Sequence, residues 1–95
     1  MRPLPDRVWV SGITFTVEQV STETMRLTTG ANDCTGWCDL GTARILVLAA
    51  IPTDVQWRVL FHEVLHAMND QVEEVDVEWA SAAWFTFARQ NGLLA

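Results

Sequence analysis

The chain has no apolar stretch approaching the ~20 residues that span a bilayer, and no lysine at all. Its basic residues, Arg2, Arg7, Arg26, Arg44, Arg58 and Arg89, form no cluster or stripe. These gaps argue against a transmembrane segment and a phosphate-binding surface, and a formal charge of −6 makes nucleic acid a poorer partner still. Cysteine is scarce, with Cys34 and Cys38 alone in a glycine-rich segment. The plain reading is two reduced thiols in or beside a loop, with a local disulfide or a share in a metal site as the alternatives. The opening Met1–Asp6 lacks the apolar run of a signal peptide, so the expected address is the cytoplasm.

What is present suffices for one core. Of 95 residues 49% are hydrophobic, including five Trp and four Phe, and a chain this short cannot bury two independent cores. Residues 1–95 are therefore expected to form a single domain. A bound metal would help so small a fold.

Val8-Trp9-Val10 and Ile13-Thr14-Phe15-Thr16-Val17 flank Ser11-Gly12, and the second run alternates apolar residues with Thr. This pattern predicts a hairpin with one buried face. Ser21 to Leu40 is polar and interrupted by glycine, and reads as irregular with a short strand around Met25 to Leu27. The run Arg44-Ile45-Leu46-Val47-Leu48-Ala49 has the length and β-branched character of a covered strand. After Pro52, Thr53-Asp54-Val55-Gln56 has the form of a capping box that opens a helix. Trp57, Leu60, Phe61, Val64, Leu65 and Met68 then recur at helical spacing as far as about Asn69-Asp70. A second helix is expected over Val77 to Gln90, ending at Asn91-Gly92. The sum is an α+β domain: a small antiparallel sheet, made of the hairpin and a further strand, packed on two C-terminal helices.

The first of those helices carries His62, Glu63 and His66, and the two histidines are the only ones in the chain. Residues four apart lie about 40° from each other around a helix and ~6 Å along it, so both imidazoles can reach one Zn2+. Glu63 lies beside them, placed to accept a proton from water activated by the metal rather than to ligate it. Zinc needs a third protein ligand, and with no third histidine the cysteine pair or a carboxylate must supply it. Glu74 and Glu78 share a face of the following segment. Glu78 is preferred because Val75, Ala82 and Phe85 suit that face to burial, and a buried carboxylate requires a partner.

At these residues the chain resembles the gluzincin metallopeptidases, in particular the short ImmA/IrrE-like and phage-encoded domains that keep a minimal zincin core. The resemblance covers about the last 55 residues. It is carried by Arg44 to Leu48, by the helix with His62-Glu63-Val64-Leu65-His66-Ala67, and by Glu78-Trp79-Ala80-Ser81-Ala82. It implies that His62, His66 and Glu78 bind zinc, that Glu63 is the general base, and that Arg44 to Leu48 is an edge strand on which an extended peptide pairs. A phage origin would place the protein in the host cytoplasm. The chain departs from the family in two ways: eleven residues separate His66 from Glu78, and it has no Tyr to stabilise an oxyanion.

The sequence is compatible with three functions. One is a zinc-dependent peptidase. The second is a regulatory or protein-binding module of the same fold with little catalysis, and the third is a structural Cys2His2 site built from Cys34, Cys38, His62 and His66. Against the third, 23 residues lie between Cys38 and His62 where a zinc finger has about 12. Trp79, Trp84, Phe85 and Phe87 cannot all face one core, and a homodimer through this Trp-rich helix is one use of the remainder.

Overall fold

The computed structural model describes all 95 residues, in an α+β arrangement of one four-stranded sheet and three helices. The first hairpin forms as its sequence requires. Strand β1 (Arg7–Val10) pairs antiparallel with β2 (Ile13–Val20), and the connecting Ser11 and Gly12 both have positive φ, 51° and 80°. That pair of angles is a type I′ turn, whose twist matches the strands and whose second position glycine fills without strain.

Helix α1 (Thr22–Thr29) follows, so the strand expected around Met25 to Leu27 is a helix instead. Its start is local chemistry: the Ser21 hydroxyl accepts the Thr24 amide at 3.1 Å. Strand β3 (Gly36–Asp39) lies in the remainder of the segment expected to be irregular, and turns back into β4 (Arg44–Leu48). The Asp39 carboxylate holds that turn, accepting the Gly41 amide at 3.0 Å and the Thr42 hydroxyl at 2.8 Å.

The strand order is β1-β2-β4-β3, with β2 and β4 parallel, so the sheet is mixed rather than antiparallel. The order also corrects the expected edge. Arg44–Leu48 is interior, paired on both sides, and Ile45, Leu46 and Val47 are fully buried. The edges are β1 and β3.

Alternation divides the sheet into two faces. Phe15, Val17, Ile45 and Val47 join Trp57, Leu60 and Phe85 in the main core under the long helices. Leu46 and Met25 are equally buried but lie outside that cluster, on the face α1 covers. The β3–β4 register aligns Gly36 with Val47 and Cys38 with Ile45, so Gly36 and Cys38 face the long helices. That places β3 beside the histidines.

Helix α2 (Thr53–Met68) begins where expected but is not held by a capping box. Pro52 occupies the cap position without a side-chain bond, and Gln56 is buried. Its amide donates to Gln19 Oε1 at 3.1 Å and to the Leu48 and Ala49 carbonyls at 3.3 Å. Helix α3 (Glu74–Gln90) starts three residues before the expected Val77 and buries Val77, Ser81, Phe85 and Ala88. The early start brings Glu74 onto the helix. No helix is long and apolar enough to cross a membrane.

Candidate functional site

His62 and His66 project from one face of α2 with their Nε2 atoms 3.1 Å apart. Across from them, the first turn of α3 presents Glu74, whose carboxylate lies 2.7 Å from His62 Nε2 and 2.9 Å from His66 Nε2. The donor atoms of His62, His66 and Glu74 all fall within 4.8 Å of one another. Around a tetrahedral zinc with bonds of ~2.0–2.1 Å, neighbouring ligand atoms stand ~3.3 Å apart, so this set fits with small adjustments.

Glu78, the residue favoured from the helix-face argument, is drawn to the other side of the ring. Its carboxylate meets His62 Nδ1 at 2.8 Å and Arg58 Nη2 at 3.5 Å. Glu74 takes the place expected for Glu78 because the two carboxylates are one turn apart on α3, and the crossing of α2 and α3 brings the earlier turn to the Nε2 atoms.

The contacts also define a chemical tension. If His62 is neutral and its Nδ1–H donates to Glu78, its Nε2 carries a lone pair aimed at a carboxylate oxygen 2.7 Å away. Two acceptors at that distance repel. A cation between them turns the repulsion into two bonds, and the bond from Nδ1 to Glu78 is then the kind of outer contact that orients a ligating imidazole.

Glu63 sits behind this group and is buried. Burial pushes its carboxyl up to about 7; His62 pulls it down, while Glu74 and Glu78 add to the rise. It faces Gly36 across the gap between α2 and β3, where a Cβ on Gly36 would lie 2.9 Å from Glu63 Oε2 and collide with Val59. Only glycine allows the strand this close.

Both cysteines are free, Cys34 two residues before β3 and Cys38 within it. The Cys34 thiol donates to the Gly36 carbonyl at 2.8 Å. Burial pushes the Cys38 thiol up to about 11, with Glu63 and Asp39 adding to the rise, so it stays protonated near neutrality. Neither cysteine belongs to the convergent donor group.

The site lies in a cleft along β3. One groove, lined by Thr35, Val55, Arg58 and Val59, and a second, lined by Trp37, Cys38, Leu40 and Asp70, share Gly36, His62, Glu63 and Glu74 at their junction. The donor group thus has a groove on either side of it. The motif on α2 pointed to His62, Glu63 and His66, whereas Gly36 and the β3 wall carry no signal in sequence beyond a glycine near a cysteine. Comparison with protein-family models, with curated proteins and with solved structures finds no match for this chain.

Proposed function

We propose that this chain is a zinc-dependent peptide hydrolase domain, a minimal zincin-like core. The observation that carries the reading is the convergence of His62 Nε2, His66 Nε2 and a Glu74 oxygen on one point, with the buried Glu63 carboxylate behind it and a cleft on each side. Three protein ligands leave a fourth position for water or substrate, which is the arrangement of catalytic rather than structural zinc sites. When bound, the metal supplies a Lewis acid and an acidified water.

The chain's own residues then have distinct tasks. His62 and His66 hold the metal from α2, Glu74 closes the set from α3, and Glu78 fixes the His62 ring through Nδ1. Glu63, held near neutral pKa by burial, accepts a proton as water attacks the carbonyl and returns it to the leaving amine. The peptide partner lies along β3, the strand whose outer edge is open, rather than along the interior Arg44–Leu48. The proposed location is the cytoplasm, in keeping with two free thiols.

The absence of tyrosine favours a second reading, a peptide-binding domain that holds zinc but hydrolyses slowly, because a missing oxyanion donor costs about 10²–10³ in rate. One experiment separates the possibilities. Metal-free protein is titrated with zinc and then assayed on a peptide library, alongside Glu63→Gln, Glu74→Gln and a double Cys34→Ser, Cys38→Ser variant. The hydrolase reading expects one zinc per chain, cleavage by the parent, and a Glu63→Gln protein that keeps zinc but loses about 10²–10⁴ in rate. Glu74→Gln should lose the metal. Zinc without cleavage selects the binding domain, and zinc lost with the cysteines selects the structural module.

A further inference from the structure

Helix α3 turns a second apolar face away from the domain. Single exposed hydrophobic residues are ordinary, but Val75, Trp79 and Phe87 are 74%, 76% and 62% exposed and lie on one stripe with Ala83 between the two aromatics. Trp79, Ala82, Ala83, Thr86, Phe87 and Gln90 line a shallow groove on this side. From Trp79 to Ala88 the helix carries no charged residue, in a chain whose net charge is −6. This is the surface on which like-charged copies can approach without placing acid against acid.

We propose that this face binds a second copy of the chain, with the two α3 helices antiparallel and related by a two-fold axis at Ala83. The stripe is self-complementary about that residue. Trp79 lies four positions before Ala83 and Phe87 four after it, so in an antiparallel pair each Trp79 meets the other copy's Phe87, twice over. Ala83 meets Ala83, and a methyl at the crossing lets the axes close to the ~8 Å lower limit of helix packing. Farther out, Asp76 falls opposite Gln90, an acceptor against an amide donor at each rim. The antiparallel arrangement also sets the acidic first turn, Glu74 and Asp76, against the end that carries Arg89, and opposes the helix dipoles favourably. A parallel pair would stack the acidic turns on each other.

The available area sets the strength. Trp79 and Phe87 together expose roughly 300 Å², and the rest of the stripe brings each copy to roughly 500–600 Å². A stable interface takes about 800 Å² per partner, so the dimer is reversible and concentration-dependent rather than obligate. The inference does not depend on the metal chemistry.

Sedimentation velocity of the full chain from ~10 µM to ~1 mM tests it, since that range brackets the dissociation constants of small interfaces. The parent is expected to shift from monomer toward dimer as concentration rises. Ala83→Glu places two carboxylates face to face on the axis and should weaken the dimer at least tenfold. Ala83 is exposed, so the circular dichroism and melting temperature of the dilute variant should match the parent. Mixing Ala83→Glu with Ala83→Lys should restore association as a heterodimer, because only a contact of position 83 with itself brings those charges together. A parent that stays monomeric throughout, a dimer indifferent to Ala83→Glu, or a mixture that fails to reassociate would each overturn the assignment.

Discussion

Gly36 is the residue on which the cleft depends most and the one whose role is least visible in the chain. It stands on β3 against α2, and an added methyl would press on Val59 and on Glu63, at 2.9 Å from Oε2 and 3.2 Å from Cγ. Gly36→Ala should therefore cost about 1–3 kcal/mol, as overpacking does. It should also lower any hydrolysis by displacing Glu63, with zinc stoichiometry unchanged. Gly41→Ala, in the exposed turn, is the control and should melt within a few degrees of the parent. If both variants behaved alike, the tight approach of β3 to Glu63 would not hold. His62, Glu63 and His66 were legible in sequence because their mutual geometry is set by one helix. Gly36 was not, because its constraint comes from α2, which is distant in the chain. Which of Glu74 and Glu78 stands at the Nε2 atoms is not legible for a related reason: both share a face, and only the crossing of two helices sets Glu74 there and Glu78 at His62 Nδ1.

Between elements, Gln56 is the joint that sets α2 against the sheet. The Thr53–Gln56 spacing has the form of a capping box, yet the Thr53 side chain makes no cap bond and the Gln56 amide turns inward to Gln19, Leu48 and Ala49. A buried amide that donates to Gln19 on β2 and to the two carbonyls where β4 ends contributes more than an exposed cap bond would, so packing overrides the local motif. Gln56→Leu should cost about 1–3 kcal/mol, since the acceptors lose their donor inside the protein. Thr53→Ala should change stability by no more than about 0.5 kcal/mol. Chemical denaturation of the two variants checks this, and a larger loss for Thr53→Ala would reinstate the capping box. The first hairpin, β4 and both long helices are legible locally because their periodicities are strong. Helix α1 and strand β3 are not, being short and rich in polar and turn-forming residues, and neither is the parallel β2–β4 pairing. That pairing depends on a crossover through α1 and β3, which no periodicity reveals.

At the scale of the molecule, the metal-free protein carries a destabilising group at the centre of its site. Glu63 is buried, and that burial, opposed by His62 and reinforced by the exposed Glu74 and Glu78, raises its carboxyl from an ordinary 4.5 to about 7. A raised pKa in an acid means the folded state holds a proton that the unfolded chain would release. The contribution to stability is then fully present below the unfolded value of 4.5, shrinks as pH rises from there toward 7, and is gone above it. Over that interval the folded state should lose roughly 3 kcal/mol through this group. A chelated sample should show a melting temperature that falls between about pH 5 and pH 8. Other groups titrate there too, so the informative quantity is the difference from Glu63→Gln, whose amide has no proton to lose. The variant should pull ahead of the parent as pH rises, by an amount that levels off above neutrality. Zinc should narrow this gap, because a cation beside Glu63 favours its charged form, and should raise both melting temperatures through binding to the folded state alone. If the chelated parent and Glu63→Gln kept a constant difference across the range, Glu63 would not be buried as the structure has it, and its near-neutral carboxyl would no longer support the role of general base.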